Sequence, residues 1–186
     1  MGWLISGVLV WAVVHLSPAL APRLRERLDR DKAFRGLFAL GVFAGLALVI
    51  VGWRSAVPQP AYAPPAWGAT LAWPLMFAAV WLFGASHAKG SVARRLRHPQ
   101  LIAVLLWSVA HLLANGDTRS LVLFGGLGVW ALLEIPLLNR RDRDWRPQPS
   151  RAAARELLGL VIAGVLFAAL VYLHPWFAGA RLLPAG

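Results

Sequence analysis

Long apolar runs alternate with short charged ones along the whole of this 186-residue chain, and most of the runs have membrane-crossing length. A hydrocarbon core of about 30 Å is crossed by roughly 20 helical residues. The pattern predicts spans over about 3–20, 36–53, 71–86, 99–114, 121–138 and 156–173. Between the first two lies RLRERLDRDKAFR, with six basic and three acidic groups, expected as an interfacial helix or loop. After the second comes AVPQPAYAPPAW, whose proline density predicts an extended connection. Gly36, Gly41 and Gly45 fall near one face of the second span and would let another helix approach closely. The expected fold class is all-α, a polytopic membrane helical bundle of about six transmembrane helices forming a single domain.

The fourth run is the most informative. In RRLRHPQLIAVLLWSVAHLLANGDTRS (94–120), Pro99 suits a first helical turn and Asn115-Gly116 suits a left-handed stop. About 16 residues make only ~24 Å of helix, so this segment should be interior or end in a loop that dips into the protein. Asp117 is expected to cap the short turn that follows, and Ser150 is a candidate cap before the last span.

Composition supports the membrane reading. Hydrophobic residues make up 59% of the chain and its mean hydropathy is +0.60, more apolar than a soluble core of this size. A net charge of +11 would suggest nucleic acid in a soluble chain, but here the cations sit in short blocks between apolar runs, so no nucleic-acid partner is expected. The loops after spans one, three and five hold 16 Lys and Arg, including Lys89 and Arg151, against three (Arg54, Arg119, Arg181) on the other side. That asymmetry predicts both termini outside. Trp3, Trp53, Trp67 and Trp176 then fall near the outer interface. Ala19-Leu20-Ala21 resembles a signal-cleavage site, yet no cation precedes the apolar run and Pro22 would follow the cut, which predicts a retained first span. With no cysteine, disulfides, thiolate metal sites and thioether-linked haem are excluded.

Five histidines remain as candidate chemistry. His87, His98 and His174 lie at predicted helix ends, where interfacial hydrogen bonding or His-Pro punctuation accounts for them. His15 and His111 lie inside apolar spans, where an ionisable side chain is costly without a partner. Two readings stay open for them: a metal or cofactor ligand, or a hydrogen bond to a serine or a backbone carbonyl of another helix. Trp11 precedes His15 by four residues as Trp107 precedes His111, an echo on spans of opposite direction that an inverted repeat would produce. Counted from the flanking arginines, the two backbones differ in depth by ~9 Å. Helical side chains lean toward their own N-termini, which in antiparallel helices brings the rings toward one level. His98 leans away and is the poorer alternative ligand. Glu134 is the lone carboxylate within a span, either a snorkelling partner of a loop arginine or a functional group. No phosphate-binding loop, nucleophile-base pair or carboxylate pair supports hydrolase or kinase chemistry.

FRGLFALGVFAGLALVIVGW (34–53), PPAW (64–67), RHPQL with LWSVAHLLANGD (97–117) and LHPWFAG (173–179) resemble the NnrU family almost end to end. The specific blocks are His98-Pro99 and Ala110 to Asp117. The resemblance implies a bacterial inner-membrane protein associated with denitrification. The family is also similar to the plastid 15-cis-zeta-carotene isomerase, a haem b enzyme whose histidine ligands match His15 and His111, with His98 matching the His-Pro histidine. Many members carry a histidine shortly after the PPxW block, where this chain has Thr70 or its neighbours. The resemblance thus implies haem b, His15 and His111 as axial ligands, Trp11 and Trp107 as pocket walls, and a redox or nitric oxide role. The alternatives are a haem-dependent cis-trans isomerase acting on an apolar small molecule such as a carotenoid, and a non-haem membrane accessory protein.

Overall fold

In the computed structural model, which describes residues 1–88, 94–147, 153–180 and 182, the apolar runs are helices and their lengths follow the hydropathy. In chain order these are α1 (Gly2–Leu20), α2 (Pro22–Arg30), α3 (Lys32–Ser55), α4 (Gly68–Ala88), α5 (Pro99–Ala114), α6 (Thr118–Arg141) and α7 (Ala153–Ala178). Five of them, α1, α3, α4, α6 and α7, are long and apolar enough to cross a membrane, while α5 is a shorter apolar helix. Large side chains such as Leu37, Leu40, Phe43, Leu46 and Ile50 stand exposed along α3. In water such a stripe would be unfavourable; against lipid tails it costs nothing. Lys89, Ser150, Arg151 and Arg181 lie outside the described residues.

The boundaries have local causes. Ala21 is extended, so Pro22 opens α2 without losing an amide bond. Asp31 caps α3 by accepting from the Ala33 amide at 2.8 Å. Pro99 opens α5 as expected. His174-Pro175, by contrast, lies within α7, which runs on to Ala178 and ends where Gly179 takes φ +77°. A left-handed stop also fails to appear at Gly116, which does not have positive φ. Gly116 is needed there for space, because a Cβ would lie 2.0 Å from the Tyr62 carbonyl oxygen. Isolated pairing of Pro60 with Asp117 is the one β-type contact among the described residues.

The chain divides into two compact units, Met1–Ala72 with Ser108–Asp144, and Trp73–Trp107 with Trp145–Gly186. The first is organised by the α1–α3 crossing. A Cβ on Gly52 would lie 2.3 Å from the Leu4 amide nitrogen, one on Gly7 2.6 Å from that of Val49, and one on Gly45 3.2 Å from that of Trp11. The two backbones touch along an antiparallel register that small residues alone permit. Gly45 serves as expected and Gly41 meets Val14, but Gly36 faces open space; Gly7 and Gly52 take the closest positions. On the adjoining face of α1, Val8 packs against Gly126 of α6.

Residues Leu121–Gly125 of α6 form a π-helical turn, which shifts the register of the side chains that follow. In the second unit, Phe167 of α7 makes edge contacts with Trp73 and Phe77 of α4, ring centroids 5.9 Å apart in each pair.

Candidate functional site

Both span-embedded histidines belong to the first unit. His15 stands on α1 one turn beyond Trp11, and the spacing stacks the two rings at 4.2 Å and 27°. Its Nδ1 donates to the Trp11 carbonyl at 2.9 Å, since a carbonyl can only accept. That bond fixes the tautomer and leaves the Nε2 lone pair without a partner among the described residues. Trp130 of α6 meets the His15 ring edge-on at 5.1 Å and the Trp11 ring at 5.7 Å. Phe38 of α3 closes the cluster at 6.1 Å.

Polar atoms around this cluster lack partners. The indole Nε1 groups of Trp11 and Trp130 and Oε2 of Glu134 are buried and unbonded, and Ser108, 2% exposed, leaves its hydroxyl in the same state against Gly128. Glu134 follows Trp130 by one turn and is only 9% exposed. It makes no ion pair in direct contact with an arginine among the described residues, but Arg141, one of the loop arginines, lies close enough for its charge to act on the carboxyl. Buried donors and acceptors are normally satisfied, and inside a membrane each orphan costs more.

His111, near the C-terminal end of α5, is set differently. Its ring stacks on Phe124 at 4.2 Å and 20°, and Phe124 owes its position to the π-helical turn. Phe124 in turn meets Trp53 at 5.8 Å, and the Arg119 guanidinium lies 3.9 Å over the Trp53 ring while donating to the Trp53 carbonyl at 3.2 Å. The proline-rich loop is fastened across this end. Ala61 and Tyr62 amides donate to the Gly116 carbonyl at 2.8 and 3.0 Å, and the Tyr62 hydroxyl reaches the carbonyls of Leu112 and Asn115. Asp117 caps α6 as expected, accepting from the Ser120 amide at 2.9 Å and the Ser120 hydroxyl at 2.6 Å. Partial burial opposes its ionisation, but the Ser120 bonds and the nearby Arg119 outweigh this and hold the carboxyl below its usual range. Burial, helped by the Asp117 charge, pushes the Tyr62 phenol up.

The two imidazoles thus contact α6 at Trp130 and Phe124, six residues apart, which puts them on levels roughly 9 Å apart along that helix. Two imidazole nitrogens bound to one metal lie only about 4 Å apart, from two bonds of about 2 Å each. Among the described residues no three His, Asp or Glu side chains converge as a metal-binding group. Two histidines on their own suit a macrocycle that brings four nitrogens of its own, and the Nδ1-anchored His15 is the arrangement that orients a metal-ligating imidazole.

The other histidines lie in the second unit. His87 Nδ1 donates to the Phe83 carbonyl at 2.9 Å and His174 Nδ1 to that of Ala180 at 2.8 Å, as helix-end residues would. His98 precedes α5, 13 residues and ~20 Å of helix from His111. Trp11 stacks on His15 within this cluster, whereas Trp107 falls in the second unit and it is Phe124 that stacks on His111. Trp130, Phe38 and Phe124 escaped the sequence reading, although Trp130 stands at helical spacing from the one intramembrane carboxylate, a signal that could have found it.

The sequence model of one protein family, described as NnrU protein, matches residues 3–182. No curated protein and no solved structure matches the chain.

Proposed function

Because this chain belongs to the NnrU family, we propose that it is a haem b-binding protein of the bacterial inner membrane. Its role would be in redox chemistry or nitric oxide handling associated with denitrification. His15 would hold the iron, and His111, whose ring stands roughly 9 Å away along α6 where about 4 Å is needed, would join it only by closing that gap as haem binds. The observation that carries the reading is His15 itself, a membrane-embedded imidazole whose Nδ1 is tied to the Trp11 carbonyl and whose Nε2 has no partner among the described residues, beside the buried and unbonded indole N–H of Trp11. Bound haem would supply an iron that cycles between ferrous and ferric states or takes up a diatomic gas. Trp11, Trp130 and Phe38 would exclude water from it, and the buried indoles could donate to a polar group held there. The 16 Lys and Arg in the loops after the first, third and fifth predicted spans orient the bundle with both termini outside.

The test is a reduced-minus-oxidised spectrum of the detergent-purified protein after haem supplementation. The expected result is a haem b spectrum that His15→Ala abolishes. His111→Ala should convert a six-coordinate low-spin signature to a five-coordinate one, and His87→Ala should change nothing. A silent Soret region would overturn the proposal and leave a non-haem accessory protein.

A further inference from the structure

Where α1, α2 and α3 meet, a groove of about 170 Å³ opens on the side of the first unit. It is lined by Val13 and Val14 of α1, Leu24 of α2, and Leu37, Phe38 and Gly41 of α3. Ser17 is the one hydroxyl in the lining, and it is turned to its own helix, donating to the Val14 carbonyl at 2.8 Å. Nothing polar is therefore offered inside. The groove is smaller than the roughly 300–1,000 Å³ of typical small-molecule pockets, which suits one flexible chain and not a ring system. Leu37 is 60% exposed at its lip, so the groove opens toward the surroundings of the spans.

Charge supplies the second half of the site. Helix α2 lies between the end of one span and the start of the next, the level at which lipid headgroups meet the hydrocarbon. At about 100° per residue, Arg23, Arg27 and Arg30 fall within roughly 60° of arc on the flank next to the Leu24 face. Asp29 lies on the far flank and is already held by Arg25 at 3.2 Å, whereas Glu26 borders the arginine arc, one turn from both Arg23 and Arg30, and forms no ion pair with the described residues. Arg23, Arg27 and Arg30 make no ion pair or hydrogen bond with the described residues. Three guanidinium groups against the single carboxylate of Glu26 leave the flank beside the apolar groove net positive, which matches a ligand with an anionic head and a hydrocarbon tail.

We propose that this groove holds an acyl chain of an anionic phospholipid whose phosphate is bound by Arg23, Arg27 and Arg30. No lining residue is a proposed haem ligand, although Phe38 also borders the His15 cluster, so the lipid titration is read on the haem-free protein. Native mass spectrometry of the full-length protein in detergent, titrated with phosphatidylglycerol and phosphatidylcholine of the same chains, tests it. One phosphatidylglycerol should be retained, and each arginine replaced by Gln should weaken it about fivefold relative to phosphatidylcholine. Leu37→Trp, a change at an exposed lip, should fill the groove and expel the lipid with all three arginines in place. Equal retention of the two lipids overturns the proposal, as does wild-type retention by Leu37→Trp, which would mean that the headgroup alone adsorbs to α2. Glycerol phosphate should not be retained; its retention would show a chain-independent phosphate site and equally overturn it.

Discussion

The surroundings of His15 and those of His111 are built from the same materials, a histidine and aromatic rings between apolar helices, yet they differ in how their polar atoms end. Around His15 two indole N–H groups and a carboxylate oxygen are buried without partners. Around His111 the carbonyls at the end of α5, the cap of α6 and the guanidinium of Arg119 are tied together by Tyr62, Asp117 and Trp53. At the His111 end Arg119 Nε is, among the described residues, the one buried atom of this network left unbonded, while the interior beside His15 holds three such atoms on three side chains, more hydrogen-bonding capacity than the fold uses. Unused capacity at this depth is where a ligand gains most.

The strongest way to break the comparison is to remove the platform on which His15 stands. Gly52→Leu should drive α1 from α3 by forcing a side chain into the Leu4 backbone, lowering stability in detergent by about 3 kcal/mol or more. Gly36→Leu, where nothing lies within 4 Å, should leave the thermal midpoint unchanged. Next in size, Glu134→Leu should stabilise the haem-free protein by about 1–3 kcal/mol, because the burial of its carboxyl outweighs what the Trp130 indole and the Arg141 charge return to it. If thermal unfolding shows a loss instead, Glu134 is satisfied and the two regions are alike. At the fastened end the sign reverses: Tyr62→Phe should cost about 1 kcal/mol, since it takes a hydroxyl from two helix-end carbonyls.

The smallest effect is a pH dependence. Asp117, whose carboxyl is held below the usual range, contributes stability that is fully present above the unfolded value of about 3.9 and is lost as pH falls through the lower folded value. Acid titration of Asp117→Asn should therefore lack a loosening of the 57–67 loop that the unaltered protein shows below about pH 4. Amide exchange at Ala61 and Tyr62, whose donors bond the Gly116 carbonyl, reads it directly.

Much of this could be read along the chain, and the misses share a cause. The spans were legible because lipid imposes a length on apolar helices, and α5 was visibly too short for it. Asp117 as a cap and Pro99 as a helix start were legible because caps and first turns depend on neighbours in sequence. Gly36 was assigned to a helix contact that Gly7 and Gly52 make, because periodicity gives the face of one helix and is silent about which turn another helix crosses. Gly116 was assigned to a left-handed turn when its role is to leave room for Tyr62, a residue more than 50 positions away.

For the histidines the division is the same. That His15 and His111 are unusual followed from the sequence alone, since ionisable groups in apolar runs carry a desolvation cost wherever the helices go. That His15 is locked by Trp11 is local too, a consequence of the four-residue helical spacing. What only the tertiary structure decided is the company they keep: Trp130 and Phe38 around one imidazole, Phe124 turned onto the other by a π-helical turn, and Glu134 buried one turn from Trp130 with no arginine in direct contact among the described residues. Those contacts depend on the depth at which whole helices dock, and docking is set by backbone approach at a few glycines, which no single-helix pattern records.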